Sequence, residues 1–217
     1  DMEKPILVSS VDGVGTKLKI AVDTGVHNTV GKDIVNHCID DILVQGAKPL
    51  FFLDYVGTGR LQDGVMEGLV GGMAKACREN NVVLIGGETA EMPGFYQDGE
   101  YDISGTIVGV VDRDELIDGK RIKPGTVILG MTSTGLHTNG YSLARKALLE
   151  VGGYKLSDTP EGFDKTLGLT LAEPHKSYFH SVYPLVKEKK LEGLVHITGS
   201  GFQGNIPRVL PEGVDVI

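Results

Sequence analysis

Four short polar stretches combine glycines with carboxylate, lysine, histidine or hydroxyl side chains, and most of them follow an apolar run. Ligands gather at such strand ends, which present backbone groups and short side chains. In the first stretch, residues 10–17, Asp12 can ligate a metal ion and Lys17 can pair with phosphate oxygens. The spacing is not that of a P-loop. A tight turn in which Asp12 bonds its own backbone explains the same residues equally well.

The second feature is the pair Asp40 and Asp41, within a helix predicted for about residues 29–46. At about 100° per residue, Asp40 falls opposite the apolar arc and is expected in solvent, whereas Asp41 falls at the edge of that arc. A half-buried carboxylate without a partner is costly. Asp41 therefore needs a partner, and a metal ion is one candidate. A salt bridge is the alternative that the helix alone favours.

The third stretch, residues 85–94, contains Gly86 and Gly87, which permit a sharp exit from a strand. Glu88 and Glu91 can bind magnesium or a hydroxyl-bearing ligand. One solvated glutamate and one at the start of a helix are the alternative. Glu88, next to the strand end, is the better candidate for a ligand.

The fourth stretch, residues 133–141, offers His137, Thr138 and Asn139 just before a predicted helix start. Such a position suits an anion, because free N–H groups and the helix dipole both favour negative charge. The dipole contributes only about 0.3–1 kcal/mol, so it can orient a phosphate but cannot hold one alone.

A further string, residues 199–204, matches G-x-G-x-x-G. A dinucleotide site also needs a βαβ unit and an acidic residue about 20 positions later. The sequence stops first, and Pro207 stands early in the predicted helix, so nicotinamide binding is disfavoured. A phosphate-facing loop remains open, with His196, Thr198 and Asn205 nearby.

Strands and helices alternate around these stretches, which predicts an α/β or α+β class. A change in composition over residues 112–124 predicts two domains, 1–115 and 116–217, the second incomplete. Strands are predicted at 5–10, 18–22, 50–56, 82–85, 103–111 and 126–130, and a strand, loop and helix over 194–210. Helices are predicted at about 29–46, 63–80, 140–151 and 175–190.

Composition excludes several classes of function. The 217 residues carry a formal net charge of −8 without a basic stripe, which argues against nucleic-acid binding. Cys38 and Cys77 are expected to be buried free thiols that form no disulfide framework or zinc pattern. No signal peptide or membrane-spanning run is recognisable, which favours the cytoplasm. The first residue is not Met and the last four read as a strand cut short, so a fragment of a longer chain is expected.

Five strings, in this order, resemble the aminoimidazole ribonucleotide synthetase (phosphoribosylformylglycinamidine cyclo-ligase) family, and together they span nearly the whole chain. They are 12–19 (DGVGTKLK), 46–55 (GAKPLFFLDY), 86–94 (GGETAEMPG), 135–143 (GLHTNGYSL), and 196–201 (HITGSG) running on to 205–211 (NIPRVLP).

The resemblance implies an N-terminal domain that dimerises through a shared β-barrel and a C-terminal α/β domain. It implies ATP, Mg²⁺ and the substrate formylglycinamidine ribonucleotide, with aminoimidazole ribonucleotide, ADP and phosphate as products. Phosphorylation of the formyl oxygen would turn a poor leaving group into phosphate, and the amidine-side nitrogen would then close the ring. Positioning and charge neutralisation would be the protein's main contribution.

Carried onto this chain, the family's acidic metal and nucleotide positions are Asp12, Asp41 and Glu88, with Gly86 and Gly87 beside them and Lys17 on the phosphate side. No general base is implied, and His137 and His196 are the candidates for a catalytic role. Asp40 stands where relatives commonly carry Asn and is expected to add charge beside the metal site. Ser200 interrupts a run of glycines. The substrate-side or phosphate-side positions are Thr89, His137, Thr138, Asn139, Thr198, Gly199, Gly201 and Asn205.

Two alternatives remain open from the sequence. Formylglycinamidine ribonucleotide synthetase, selenophosphate synthetase and thiamine-phosphate kinase share the acidic metal positions, although the strings around His137 and Glu88 favour the cyclo-ligase. A catalytically silent nucleotide-binding domain would keep the same residues, and only turnover distinguishes it.

Overall fold

The first half of the chain is a four-stranded mixed sheet covered on one face by helices. The computed structural model describes residues 2–217. The strands are β1 (Pro5–Gly13), β2 (Lys48–Thr58), β3 (Val83–Glu91) and β4 (Tyr101–Asp112), in the order β1-β4-β2-β3. Strands β2 and β3 run parallel, and the other two pairs are antiparallel. The helices of this half are α1 (Lys17–Thr24), α2 (Asn28–Leu43) and α3 (Val65–Glu79).

The two faces of the sheet differ because side chains alternate along each strand. On β4, Ile103 and Ile107 are fully buried beneath the helices, whereas Ser104 and Thr106 are half-buried on the opposite face. The register aligns Asp12 with Gly105, Gly105 with Asp54, and Asp54 with Gly87. Asp12 therefore lies on the face that carries the helices.

Close packing of α2 depends on glycines at its contacts. A Cβ atom on Gly105 would lie 2.2 Å from the Phe52 ring, so β4 must lack a side chain there for α2 and Phe52 to meet. At the crossing of α2 and α3, a Cβ on Gly31 would lie 2.1 Å from the Leu69 carbonyl oxygen, and one on Gly72 2.1 Å from that of Asn28. The two helix backbones thus touch directly.

The second half contains short helices joined by long irregular segments. A small apolar cluster of Ile20, Tyr141, Leu167, Leu171 and Ala172 ties α1 to this half. The helices are α4 (Tyr141–Arg145), continued by a π-helical turn (Lys146–Val151), α5 (Leu167–Leu171), α6 (Phe179–Lys187) and α7 (Gly201–Asn205), with 3₁₀ turns at Arg113–Glu115 and Ile206–Arg208.

The predicted α/β class is confirmed, but three of the predicted strands are wrong. Residues 18–22 belong to α1, which ends at Gly25 in the left-handed conformation, φ 69°. A glycine C-cap of this kind is the signal that sequence reasoning overlooked. Residues 126–130 and the strand predicted from 194 are irregular, because no strand among residues 2–217 pairs with them. Val127, Ile128 and Leu129 are 62–86% exposed.

The sheet is open, and its closure into a barrel with a second copy stays a prediction, as does the domain boundary near residue 115. Cys38 and Cys77 are buried free thiols, as expected. Within residues 2–217, every helix is too short or too polar to cross a bilayer.

A buried ion pair joins α1 to α2. The Lys17 ammonium lies 2.7 Å from the Asp33 carboxylate, and both side chains are completely inaccessible to solvent. Lys17 also donates a hydrogen bond to the backbone carbonyl of Glu173, 2.6 Å away. Burial raises the pKa of Asp33 to about 6, although the neighbouring ammonium lowers it. Each charge therefore depends on the other, since either one alone would be desolvated without compensation.

We expect Gly72→Ala to destabilise the fold by about 1–3 kcal/mol, because the added methyl group forces α3 away from Asn28. Gly71→Ala is the matched control, since its Cβ would meet no atom within 4 Å. That substitution should be neutral or stabilising by roughly 0.5–1 kcal/mol. Urea unfolding of both variants measures the difference, and equal stabilities would contradict the contact.

We expect Lys17→Met to lower the free energy of unfolding by about 3–5 kcal/mol, because it leaves the buried Asp33 carboxyl without its ion-pair partner. Adding Asp33→Asn should restore part of the loss. Lys19→Met is the control, since Lys19 pairs with Glu100 at the surface and its removal should change stability far less. A double-mutant cycle by denaturant unfolding tests the coupling, and additive effects would count against it.

Candidate active site between helix α2 and the second half

Helix α2 presents a polar face to the second half of the chain. Asp33, Asn36, His37 and Asp40 are buried and Asp41 is half-buried. The prediction that Asp40 lies in solvent is therefore wrong. The prediction assumed that only the apolar side of α2 is covered. In the structure the second half of the chain covers the polar side as well.

The polar face of α2 binds the backbone of residues 175–178. The His175 amide donates to Asp33 at 2.6 Å, and the Asn36 amide group donates to the His175 carbonyl at 2.7 Å. The Tyr178 amide donates to Oδ1 of Asp40 at 3.0 Å. These bonds satisfy backbone groups that have no helix or sheet partner and fix this segment against α2.

Asp40 is a neutral acid at physiological pH. Burial raises its pKa to about 8, against the hydrogen bond from Tyr178 and the charge of His37, which lower it. The expected extra charge beside the metal site is therefore largely absent. A protonated carboxyl has the same shape as an asparagine side chain and can also donate one hydrogen bond.

Asp12, His37 and Asp41 form a group whose ligand atoms all lie within 4.8 Å of one another. Nε2 of His37 lies 2.7 Å from Oδ2 of Asp12 and 3.7 Å from Oδ2 of Asp41. The hydrogen bond from His37 holds the pKa of Asp12 below its ordinary value. Burial lowers the pKa of His37, but the bond to Asp12 and the charges of Asp41 and Asp12 raise it overall.

Asp41 has protein partners on both oxygens. Nδ1 of His196 lies 2.8 Å from Oδ1, and the Ser10 hydroxyl donates to Oδ2 at 2.9 Å. The sequence left a salt bridge and a metal ion as alternative partners of Asp41. In the structure its partner of opposite character is a histidine. Asp12 likewise accepts from the amide of Gly13 at 2.7 Å, which is the local backbone bond foreseen as an alternative.

Four histidine rings cluster beside these carboxylates. Ring centroids are 4.1 Å apart for His137 and His175, which stack, 5.0 Å for His37 and His196, and 5.3 Å for His37 and His175. His137 adopts a left-handed backbone, φ 59°, to reach this position. Burial lowers the pKa of His137 to about 4 and that of His175 still further. Both rings are therefore neutral at physiological pH, and a neutral imidazole can ligate a metal.

The loops of the second half close the site from one side. Thr138 is buried with its hydroxyl 2.7 Å from Nδ1 of His37. Asn139 lies beside Gly199, where a Cβ would be 3.0 Å from the amide oxygen. At the end of α7, Asn205 is buried and its side chain donates to the carbonyl of Gly201 at 2.8 Å. Thr198, in the segment before α7, donates to the side-chain oxygen of Asn205 at 3.1 Å.

Lys17 and Glu88 are not part of this cluster. Lys17 is held in the buried ion pair with Asp33, so its phosphate role stays a prediction that requires the pair to open. Glu88 pairs in register with Tyr55 on the open face, three strands away from β1, which is about 14 Å. A single ion therefore cannot bind Asp12, Asp41 and Glu88 of one chain, and Glu88 must act elsewhere or on a second chain.

The other residues of the third stretch, like Glu88, lie outside this cluster. Gly86, Gly87 and Thr89 are exposed within β3, which continues through Glu91 without starting a helix. Glu91 accepts a hydrogen bond from the Leu61 amide at 2.8 Å. A nucleotide-binding role for this strand stays a prediction.

Sequence reasoning missed His37 and His175. His37 precedes Asp41 by four residues on the same helix, and that spacing alone could have revealed it. His175 offered no local signal, because only the packing of distant segments brings it to α2. With these two rings added, the site offers carboxylate oxygens, neutral imidazoles and hydroxyl groups around one centre, a set suited to a divalent cation and an anionic substrate.

Comparison with known proteins identifies related domains over most of the chain. Residues 2–111 match the N-terminal domain of the AIR synthase related proteins, and residues 123–217 match their C-terminal domain. Phosphoribosylformylglycinamidine cyclo-ligases of Alkaliphilus metalliredigens and Myxococcus xanthus are 51% and 53% identical over 215 residues, which is 99% of this chain. The chain spans 62% of the length of each relative.

Solved structures share the fold. A thiamine-monophosphate kinase from Stenotrophomonas maltophilia superimposes with a TM-score of 0.62 at 19% identity, covering 95% of this chain and 60% of the other. T. maritima PurL complexed with AMPPCP gives 0.59 at 16% identity, covering 97% of this chain and 30% of the other. At these identities the likeness establishes the fold alone. The two domain matches, which together cover nearly all residues, establish that this chain belongs to the AIR synthase related protein family.

Proposed function

We propose that this chain is part of an ATP-dependent cyclo-ligase that converts formylglycinamidine ribonucleotide to aminoimidazole ribonucleotide, releasing ADP and phosphate. The observation that carries the proposal is the identity of 51–53%, over 99% of the chain, with proteins named phosphoribosylformylglycinamidine cyclo-ligase. Purine synthesis in the cytoplasm is part of the same proposal. ATP as the nucleotide draws support from T. maritima PurL, whose fold is similar and whose structure contains ATP.

The carboxylates beside α2 fit a bound Mg²⁺. Asp12 and Asp41 supply the oxygen ligands that this ion prefers, and their side chains are 46% and 21% exposed, so an ion and its waters can reach them. We assign the ion to these two residues, where it would offset phosphate charge. Nε2 of His37, which now bonds Asp12, would have to release that oxygen.

The histidines and loops have distinct roles in this proposal. Neutral His137, which accepts a hydrogen bond from the Thr134 amide at 3.1 Å, orients the turn that carries Thr138 and Asn139. His196 lies 2.8 Å from Asp41 through Nδ1, which leaves Nε2 to hold or move a proton at the substrate. The segment that contains Gly199, which lies beside Asn139, would position phosphate groups.

We expect the full-length protein to release ADP from Mg–ATP only when formylglycinamidine ribonucleotide is present, with aminoimidazole ribonucleotide formed at an equal rate. Coupled ADP detection and chromatography of the ribonucleotides measure the two rates. ADP release that substrate does not stimulate would contradict the proposal. Selenide, thiamine phosphate, or formylglycinamide ribonucleotide with glutamine would then identify a sister enzyme.

Asp41→Asn tests the metal assignment, and the quantity measured is the affinity for ATP in the presence of Mg²⁺. It should weaken Mg-dependent ATP binding by about tenfold or more while the fold remains intact, because one ion ligand loses its charge. Asp63→Asn, at an exposed loop position, is the control. Unchanged nucleotide affinity would rule out a metal role for Asp41, and a fall in thermal stability alone would support its structural contacts with Ser10 and His196.

We infer that the open face of the sheet binds a second copy of this chain. Apolar side chains occupy this face, including Leu7, Val11 and Val83, which are 72%, 67% and 58% exposed. A sheet usually covers such a face, and closing two sheets together also protects their edges. Glu88 and Tyr55 share this face, so dimer formation would bring Glu88 to the partner.

We expect Leu7→Glu combined with Val11→Glu to convert a dimer to a monomer, because two charges would be buried at the interface. Light scattering with size-exclusion chromatography measures the mass. Leu143→Glu, at a site that is also 72% exposed but lies on α4, should leave the dimer intact. A wild-type monomer, or a dimer that survives the double substitution, would contradict the assignment.

A further inference from the structure

Three histidines from three separate segments converge beside α2. His37 lies on α2, His175 precedes α6, and His196 lies in the irregular segment before α7. One nitrogen from each ring can be chosen so that all three lie within 4.8 Å of one another. We propose that His37, His175 and His196 bind one divalent transition-metal ion of the zinc class, which would compete with the proton-transfer role proposed for Nε2 of His196.

The strongest sign of a missing ligand is His175. Its side chain is 1% exposed, and neither ring nitrogen has a hydrogen-bond partner among residues 2–217. Oδ2 of Asp40, 3.3 Å from Nε2 of His175, is also buried without a hydrogen bond. Buried polar groups are nearly always satisfied. A metal ion would satisfy the ring that the protein leaves unpaired.

The two other rings are already oriented as metal ligands usually are. Nδ1 of His196 bonds Asp41 at 2.8 Å, and Nδ1 of His37 bonds the Thr138 hydroxyl at 2.7 Å. In metal sites the second nitrogen of a ligating histidine normally bonds a carboxylate, a carbonyl or a water, which fixes the ring. Nε2 of each ring is thereby left for the ion, although that of His37 must give up its bond to Asp12.

The spacing requires only a small closure. Zinc–nitrogen distances of about 2.0–2.1 Å place tetrahedral donors roughly 3.4 Å apart. Because the present donors lie within 4.8 Å, each pair needs to approach by about 1.4 Å at most.

Nitrogen donors select the metal. Imidazole suits Zn²⁺, Co²⁺ and Ni²⁺, whereas Mg²⁺ prefers oxygen. The fourth position is open to water or to the carboxylate of Asp41 or Asp12, which share His37 in the second ligand group. Such an ion would link α2 to two segments of the second half in addition to the hydrogen bonds and ring contacts that already join them.

The test uses the full chain, stripped with a chelator and titrated with Co²⁺ alone and then with Zn²⁺. We expect one equivalent of Co²⁺ per chain with the intense visible bands of a four-coordinate nitrogen site, displacement by Zn²⁺, and a higher melting temperature with either ion. Calorimetry of His175→Gln and His196→Gln should give affinities at least a hundredfold lower. His180→Gln is the control, since His180 is exposed on α6 and should leave binding unchanged.

Three results would overturn the proposal: no stoichiometric Co²⁺ in the wild type, unchanged affinity in His175→Gln, or displacement of Co²⁺ by millimolar Mg²⁺, which would mark an oxygen site. Circular dichroism checks that each variant folds. If His175→Gln does not fold, protection of wild-type histidines from diethyl pyrocarbonate by one equivalent of Zn²⁺ decides the matter, and equal modification with and without Zn²⁺ refutes the site. No nucleotide is present, so the result is independent of the proposed cyclisation.

Discussion

The arrangement of the molecule depends on burying a polar helix face. Helix α2 sets its apolar side against the sheet and its charged side against the second half, so neither side meets water. The ion pair between Lys17 and Asp33 makes this possible, because it neutralises the charge nearest the centre. The remaining polar groups bind backbone amides and carbonyls of residues 175–178. These bonds, together with the apolar contacts of α6 with the main core, fix where the second half lies.

The two faces of the sheet are specialised. The face covered by helices places Asp12 next to α2, and the other face exposes a mixture of apolar residues together with Glu88. Asp12 and Glu88, which the family resemblance groups as metal and nucleotide positions, therefore lie on opposite faces of the sheet within one chain. Residues that serve one function need not lie close together within a single chain.

Much of the first half was predictable from the sequence. Helices α2 and α3 and the four strands follow apolar periodicity, and their bounds differ by only a few residues, except that β3 was predicted to end at residue 85 and runs to Glu91. Prediction failed where long-range contacts decide the outcome. The polar side of α2 indicated solvent, but packing buries Asp40. An apolar run at 126–130 indicated a strand, but a strand forms only beside a partner.

Within the site, Asp12, Asp41, Thr138 and His196 could each be singled out from the sequence, and the structure brings them close to His37 or to one another. The buried ion pair of Lys17 could not be predicted, because a lysine in a glycine-rich loop is equally consistent with binding an anionic ligand. His175 was invisible, since its partners on α2 lie more than a hundred positions away in the chain.

The uncovered run of Val127, Ile128 and Leu129 has a colloidal consequence. A stretch of apolar and β-branched residues without a strand partner is a template for pairing between molecules. It lies outside both apolar cores, so attraction between chains in concentrated solution does not require the fold to open. Turbidity and melting temperature would then report on different parts of the molecule, and substitutions that improve one need not change the other.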